Sequence, residues 1–277
     1  MSGTVDLHHH VIPDFYREAS NEGGSAGLKH DRPDRFGAFA ALPLPDVEGS
    51  LEAIEYAFDV LELDGVSIFT NAGGRYLGDA RFDPVFAELQ RRAAVVFVHP
   101  TASPDPIAHT LDLPDSLLDY PVDTSRAVAN LHYSNTFAQT PDVKYVLAHA
   151  GGTIPFVASR FAIVDEMDVI PGAGERGAFA DALPRLYWDT ASAFSDPVLH
   201  MLRSVVGLGN VVFGSDYPYP RDAISIGGLR QLRQTAELDD GERRAVLGAS
   251  AARLIPRLGG TPDAISPQGS DRTATVG

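Results

Sequence analysis

Four apolar, strand-like runs in this chain end on residues that can bind a metal ion. The first is Val5-Asp6-Leu7-His8-His9-His10. Val95-Val96-Phe97-Val98 leads to His99, Tyr145-Val146-Leu147-Ala148 to His149, and Val211-Val212-Phe213-Gly214-Ser215 to Asp216. Side chains alternate faces along a strand, so His8 and His10 point one way and His9 the other. Strands ending in one ring would bring imidazoles and a carboxylate onto a single ion, the ligand pattern of a mononuclear metal enzyme. The chain has no cysteine, so any metal here uses nitrogen and oxygen donors.

Each of these residues also has a plainer reading. His8 to His10 resemble a purification tag, but Val5-Asp6-Leu7 before them and Val11-Ile12-Pro13 after them look like folded sequence. His99, before Pro100, is either a ligand at a barrel mouth or a satisfied core histidine. His149 precedes Ala150-Gly151-Gly152, small residues that let backbone and substrate approach. It is a ligand, a proton-transfer group beside the metal, or a buried histidine bonded to a carbonyl. Asp216 is a ligand or a proton-transfer carboxylate, and Pro218 and Pro220 argue against its being a helix cap. Arg160 lies on the segment that follows His149, where it meets either a substrate carboxylate or a surface partner. Asp189 ends a further strand and either contacts the site or makes a structural hydrogen bond. His30, His109, His132 and His200 are read as structural or solvated.

The elements that must position these residues alternate between short apolar runs and longer helical patterns, the mark of βαβ units. Strands are expected at 5–10, 36–42, 65–70, 95–99, 143–149, 186–190 and 211–216. Helices are expected at 47–61 (with Asp46 as N-cap), 84–93, 124–137, 155–164, 196–206 and 242–257. The architecture is therefore a TIM-type (β/α) barrel, one strand short of closure. The shortfall lies between His10 and Phe36, where a Gly-rich stretch stands in for a missing or irregular second strand-helix unit. Residues 1–258 form a single barrel domain, and 259–277, rich in Gly, Pro, Ser, Thr and Asp, form a flexible tail.

The bulk composition is compatible with this. The chain has 277 residues, enough for one domain with a large core. A formal net charge of −15 argues against nucleic acid or an anionic membrane as partner. No leader-like segment and no membrane-length apolar run is visible, so a cytoplasmic enzyme acting on a small molecule is the expectation.

The motifs together resemble a known family. Asp6-Leu7-His8-His9-His10 with Pro13, Phe97-Val98-His99-Pro100, Ala148-His149-Ala150-Gly151-Gly152 with Pro155-Phe156, and Gly214-Ser215-Asp216-Tyr217-Pro218 occur in order. This resembles the metal-dependent decarboxylase branch of the amidohydrolase superfamily. That branch includes aminocarboxymuconate semialdehyde decarboxylase, 6-methylsalicylate decarboxylase and γ-resorcylate decarboxylase. Arg35 to Pro43, Gly74 to Asp79 and Tyr120 to Arg126 look most like the 6-methylsalicylate members. The similarity covers roughly residues 4 to 258.

The resemblance implies one divalent ion, zinc or manganese, held by His8, His10, His99 and Asp216. It implies that His149 and Asp216 serve the chemistry, and that Arg160 binds a substrate carboxylate, reaching across a homodimer to the neighbouring subunit's site. The implied reaction is nonoxidative decarboxylation of an ortho-hydroxybenzoate-like or unsaturated carboxylic acid. Hydrolysis of a lactone or amide by the same ligands is the alternative reaction, and an inactive metal-binding homologue is the alternative outside catalysis. Members of the branch carry a longer segment after the first strand than this chain does.

Overall fold

The computed structural model describes residues 3–10, 36–104, 112–167, 169–170 and 177–259. A six-stranded, wholly parallel sheet forms its centre, built from β1 (Phe39–Ala41), β2 (Gly65–Phe69), β5 (Val95–His99), β6 (Lys144–Leu147), β7 (Tyr187–Asp189) and β8 (Val211–Val212), hydrogen-bonded in that order. A small antiparallel hairpin, β3 (Asn71–Ala72) with β4 (Arg75–Tyr76), follows β2. It was not foreseen, since each arm is too short to show a periodicity.

The strands read as continuous apolar runs because both faces are covered. Toward the interior, Leu7, Val95, Phe97, Val146, Ala148, Tyr187 and Val212 make one buried cluster. Toward the helices, Val66, Ile68, Val96, Val98, Tyr145, Leu147, Trp188 and Val211 belong to the larger core. A sheet with its own interior cluster and an outer layer of helices is the arrangement of a (β/α) barrel.

Residues 3–10 are extended beside the continuation of β8. The Leu7 N–H donates to the Phe213 carbonyl at 2.9 Å and the His10 N–H to the Tyr217 carbonyl at 2.8 Å. His9 and Tyr217 form a parallel bridge. The strand expected at 5–10 is thus an extended run with one bridge rather than a full ladder. Among the described residues no backbone pairing joins β1 to residues 3–10, so the sheet is open on that side. The Gly-rich stretch expected to replace a strand-helix unit, and the tail beyond Gly259, lie outside the described residues.

The helices follow the strands. They are α1 (Val47–Glu55), α2 (Asp83–Arg91), α3 (Asp115–Tyr133), α4 (Thr136–Gln139), α5 (Ile154–Met167), α6 (Phe179–Ala182), α7 (Asp196–Val205), α8 (Asp222–Gln234), α9 (Asp240–Arg244) and α10 (Ser250–Leu254). Asp46 caps α1 as expected, its side chain accepting the Gly49 N–H at 3.0 Å. Helix α3 begins at Asp115 rather than Thr124, because Pro121 lies inside it instead of ahead of it. The Pro121 carbonyl remains in use, accepting from the Ser125 hydroxyl and the Thr153 N–H. Helix α8 was also unforeseen. The region expected as one helix over 242–257 starts at Asp240 under a capping box between Asp239 and Glu242, and passes through a π-helical turn at Ala245–Ala249.

Candidate metal centre

The candidate residues sit at the C-terminal ends of the parallel strands, where the loops of such a sheet meet. His99 is the last residue of β5, and its carbonyl accepts the Thr70 N–H at 3.0 Å from the end of β2. His149 opens the turn after β6, and Asp216 lies beyond β8. Both have left-handed backbone, φ 55° for His149 and φ 60° for Asp216. Residues other than glycine seldom adopt this conformation, and where they do the surroundings have to hold it.

The side chains converge. Asp216 Oδ1 lies 3.1 Å from His8 Nε2 and 3.0 Å from His10 Nε2, and these two nitrogens are 3.0 Å apart. Asp216 Oδ2 lies 3.4 Å from His149 Nε2. Taking one ligand atom from each, His8, His99, His149 and Asp216 all fall within 4.8 Å of one another. His10 stands at the edge of this set through its contacts to His8 and Asp216. Nitrogen and oxygen donors at this spacing fit a borderline divalent ion. His149 Nδ1 is buried without a hydrogen-bond partner among the described residues.

The electrostatics follow from crowding. Burial opposes charge on His8, but the carboxylates of Asp189 and Asp216 outweigh it and push its pKa up to about 9. Burial, helped by the neighbouring imidazoles of His8, His149 and His10, pushes His99 down to about 3. Burial works against the charge on Asp216, yet hydrogen bonds from His10, His149 and His8 hold its carboxyl well below the usual carboxylate range. Asp216 is therefore anionic, and His99 presents a neutral imidazole, as a ligand must.

Two buried carboxylates brace the centre. Asp189 is fully buried at the end of β7 and bonds His8 Nδ1 at 2.5 Å. Asp123, also fully buried on α3, accepts from the Thr70 hydroxyl, from Asn71 Nδ2 at 3.0 Å and from the Tyr76 hydroxyl at 2.6 Å. Thr70 Oγ1 in turn accepts the Thr101 N–H, which ties this network to the segment just after His99. Asp189 was one of two open readings in the sequence. Asp123 was not among the candidates, and no local pattern announces its partners.

Aromatic rings stand around the cluster. Tyr219 packs edge-on to His10 at 4.8 Å between ring centroids, and Phe69 and Tyr120 lie 6.2 and 6.3 Å from His99. Phe69 and Tyr219 are exposed, so a planar ring entering the mouth would meet aromatic side chains.

The other candidates fall elsewhere. His9 turns away from the cluster and stacks on Tyr217 at 5.3 Å. His132 is buried on α3 against Phe179, and His200 is exposed on α7. His30 and His109 lie outside the described residues. Arg160 is exposed on α5 and makes no hydrogen bond or ion pair among the described residues.

Comparison with known proteins bears on the family and the fold. The family model described as amidohydrolase matches residues 9–257. The chain is 36% identical to a 6-methylsalicylic acid decarboxylase of Penicillium expansum over 262 residues, covering 91% of this chain and 80% of that protein. Among solved structures, an amidohydrolase II aligns with TM-score 0.77 at 28% identity, covering 83% of this chain and 74% of the other. A dihydroxybenzoic acid decarboxylase from Polaromonas, solved with bound manganese, aligns with TM-score 0.72 at 20% identity over 82% of this chain and 71% of its own, a likeness of fold.

Proposed function

Because this chain belongs to the amidohydrolase family, we propose that it is a metal-dependent carboxy-lyase acting on an aromatic acid of the ortho-hydroxybenzoate type. The observation that carries the reading is the convergence of four histidines and Asp216 at one mouth of the sheet, inside an aromatic rim. The similarity to a 6-methylsalicylic acid decarboxylase supports the substrate class.

His8, His10, His99 and Asp216 would hold one zinc or manganese ion. A bound divalent ion supplies Lewis acidity toward the carboxylate and hydroxyl oxygens of the substrate. The rest is work for the chain. Phe69, Tyr120 and Tyr219 flank the ring and exclude water from its faces. His149 holds a proton at Nε2, facing Asp216, and passes it to the ring carbon. The bond from that carbon to the carboxyl carbon breaks, its electron pair stays on the ring carbon to take the proton, and carbon dioxide leaves. Asp216, held anionic, is suited to orient His149 rather than to supply the proton.

The same proposal includes a homodimer in the cytoplasm, with Arg160 reaching the partner's substrate carboxylate through two parallel hydrogen bonds. What supports it is the stripe on α5 that holds Arg160. Phe156, Ile163 and Met167 share that face at helical spacing and are exposed, Phe156 by 78%. Leu117 and Leu118 on α3 are exposed as well, and α3 meets the residue ahead of α5 where the Thr153 N–H donates to the Pro121 carbonyl. Apolar surface of this kind marks an interaction face.

The test is carbon dioxide release from 6-methylsalicylate and related hydroxybenzoates by protein of measured metal content. Metal-loaded protein that releases none, across the hydroxybenzoates, overturns the reading.

A further inference from the structure

Asp189 is held through both of its carboxylate oxygens. Its Oδ2 lies 2.5 Å from His8 Nδ1, while its Oδ1 accepts the His149 N–H at 2.7 Å and the Ala191 N–H at 3.0 Å. The side chain is fully buried. Two of the three partners are backbone donors, so Oδ1 is bound to act as an acceptor. Backbone geometry admits the arrangement only because residue 214 is glycine. A Cβ there would lie 2.6 Å from the His8 Cβ and 3.3 Å from the Asp189 carboxyl group.

We propose that Asp189 is a positioning residue that fixes the tautomer of His8, keeping its proton on Nδ1 and its lone pair on Nε2, while the same carboxylate holds the turn that presents His149. A neutral imidazole carries one proton, and the Asp189 carboxylate at 2.5 Å from Nδ1 competes for it better than Asp216 at 3.1 Å from Nε2, so the lone pair is left on Nε2. A carboxylate behind a ligating imidazole also makes it more basic, and losing such a partner costs about 10- to 100-fold in metal affinity. The second oxygen ties a different strand end to the same anchor. A single carboxylate thus sets the relative position of a ligand from the first extended run and a proton carrier from the turn after β6. The inference rests on the reading of His8 as a ligand.

The informative variant is Asp189→Asn. Its amide oxygen must take the Oδ1 position, because the His149 and Ala191 N–H groups would otherwise meet an NH2. The amide NH2 then faces His8 Nδ1 and can only donate, which forces the His8 proton onto Nε2. The expected results are three. Nitrogen-detected NMR of metal-free protein, held alkaline enough for His8 to be neutral, shows Nδ1–H in the unmodified chain and Nε2–H in the variant. Zinc affinity of the variant, measured by chelator competition, falls about 10- to 100-fold. Activity of Asp189→Asn recovers at saturating metal, whereas that of Asp189→Ala does not, since only the alanine variant frees the His149 N–H. A merely structural role would lower the melting temperature and leave the His8 tautomer alone.

Nε2–H in the unmodified chain overturns the proposal without any variant being needed. An unchanged tautomer in Asp189→Asn, or zinc affinity within about twofold of the parent, also overturns it. A switched tautomer with unchanged affinity removes the ligand role of His8 as well, an outcome distinct from failure to release carbon dioxide.

Discussion

His149 and Asp216 face each other across the mouth of the sheet, Nε2 to Oδ2 at 3.4 Å, and each holds its side chain there on left-handed backbone. This is the longest of the contacts Asp216 makes to a histidine. The shorter contacts, near 3 Å, go to His8 and His10. A carboxylate shared this way can hold a metal with one oxygen and steady a proton carrier with the other.

Replacing the two kinds of residue should therefore give different losses. His149→Ala is expected to retain its metal and lose turnover by about 10²-fold or more, the usual cost of a missing proton-transfer group. His99→Ala and Asp216→Ala are expected to lose most of the metal itself. Elemental analysis alongside single-turnover rates separates the two. One metal per chain in both His99→Ala and Asp216→Ala would mean that the ligand assignment is wrong.

The turn behind His149 tolerates no added carbon. Gly152 has φ 64°, and a Cβ on it would lie 2.1 Å from the Pro121 carbonyl oxygen. The obstacle is helical backbone, which cannot rotate out of the way. Gly152→Ala is expected to cost more than about 2 kcal/mol of stability and to displace His149. Urea midpoints compared with those of Gly74→Ala would show it. Gly74 has similar backbone but open space around it, so equal losses would argue against the steric account.

The exposed stripe on α5 makes its own demand. Phe156→Glu is expected to turn a dimer into a monomer, read by sedimentation at micromolar concentration. Arg160→Ala is expected to keep the dimer and raise the KM for a carboxylate substrate. A parent chain that is monomeric at that concentration removes the role of Arg160 in a partner's site.

One pH response lies far from the mouth. Glu88 on α2 accepts from Arg91 at 2.7 Å and from Arg92 at 2.6 Å, and these bonds hold its pKa down at about 2, against 4.5 for a free carboxyl. A depressed pKa means stability that is present above the unfolded value and lost as pH falls toward the folded one. The pair sits near the surface, so its worth at neutral pH is below about 1 kcal/mol. Glu88→Gln should melt lower than the parent at pH 7, with the gap closing as pH falls from 4.5 toward 2. A gap that stays constant over that window would contradict the ion-pair origin.

The ordered series of strand-end histidines and Asp216 was legible because a buried parallel strand is an uninterrupted apolar run, and a polar residue at its end stands out. Residues 95–99 match β5 residue for residue. Expectations failed where structure comes from contacts between distant residues. Asp189 and His8 are 181 residues apart, and no periodicity encodes a bond of that span. Pro121 reads locally as a helix boundary, yet α3 runs through it, with its carbonyl meeting the turn at Gly152 and Thr153. The hairpin β3–β4 and helix α8 were missed for the opposite reason, the first being too short and the second lying behind two prolines.

Residues 3–10 are held by Phe213, Tyr217 and Leu247, all of which follow them by more than two hundred positions. A ribosome adding about 5–20 residues per second needs on the order of 10 to 40 s to travel from His8 to Asp216. Throughout that interval the first two imidazoles have neither the strand they lie against nor the carboxylate they share. With the proposed ligand set, the ion can be held only once Asp216 has been made, so the metal taken up would reflect what the cell supplies late in that interval rather than at initiation. Nascent chains stalled before Val211 should accordingly hold no stoichiometric metal, and recovery of one ion per stalled chain would show that the early histidines suffice.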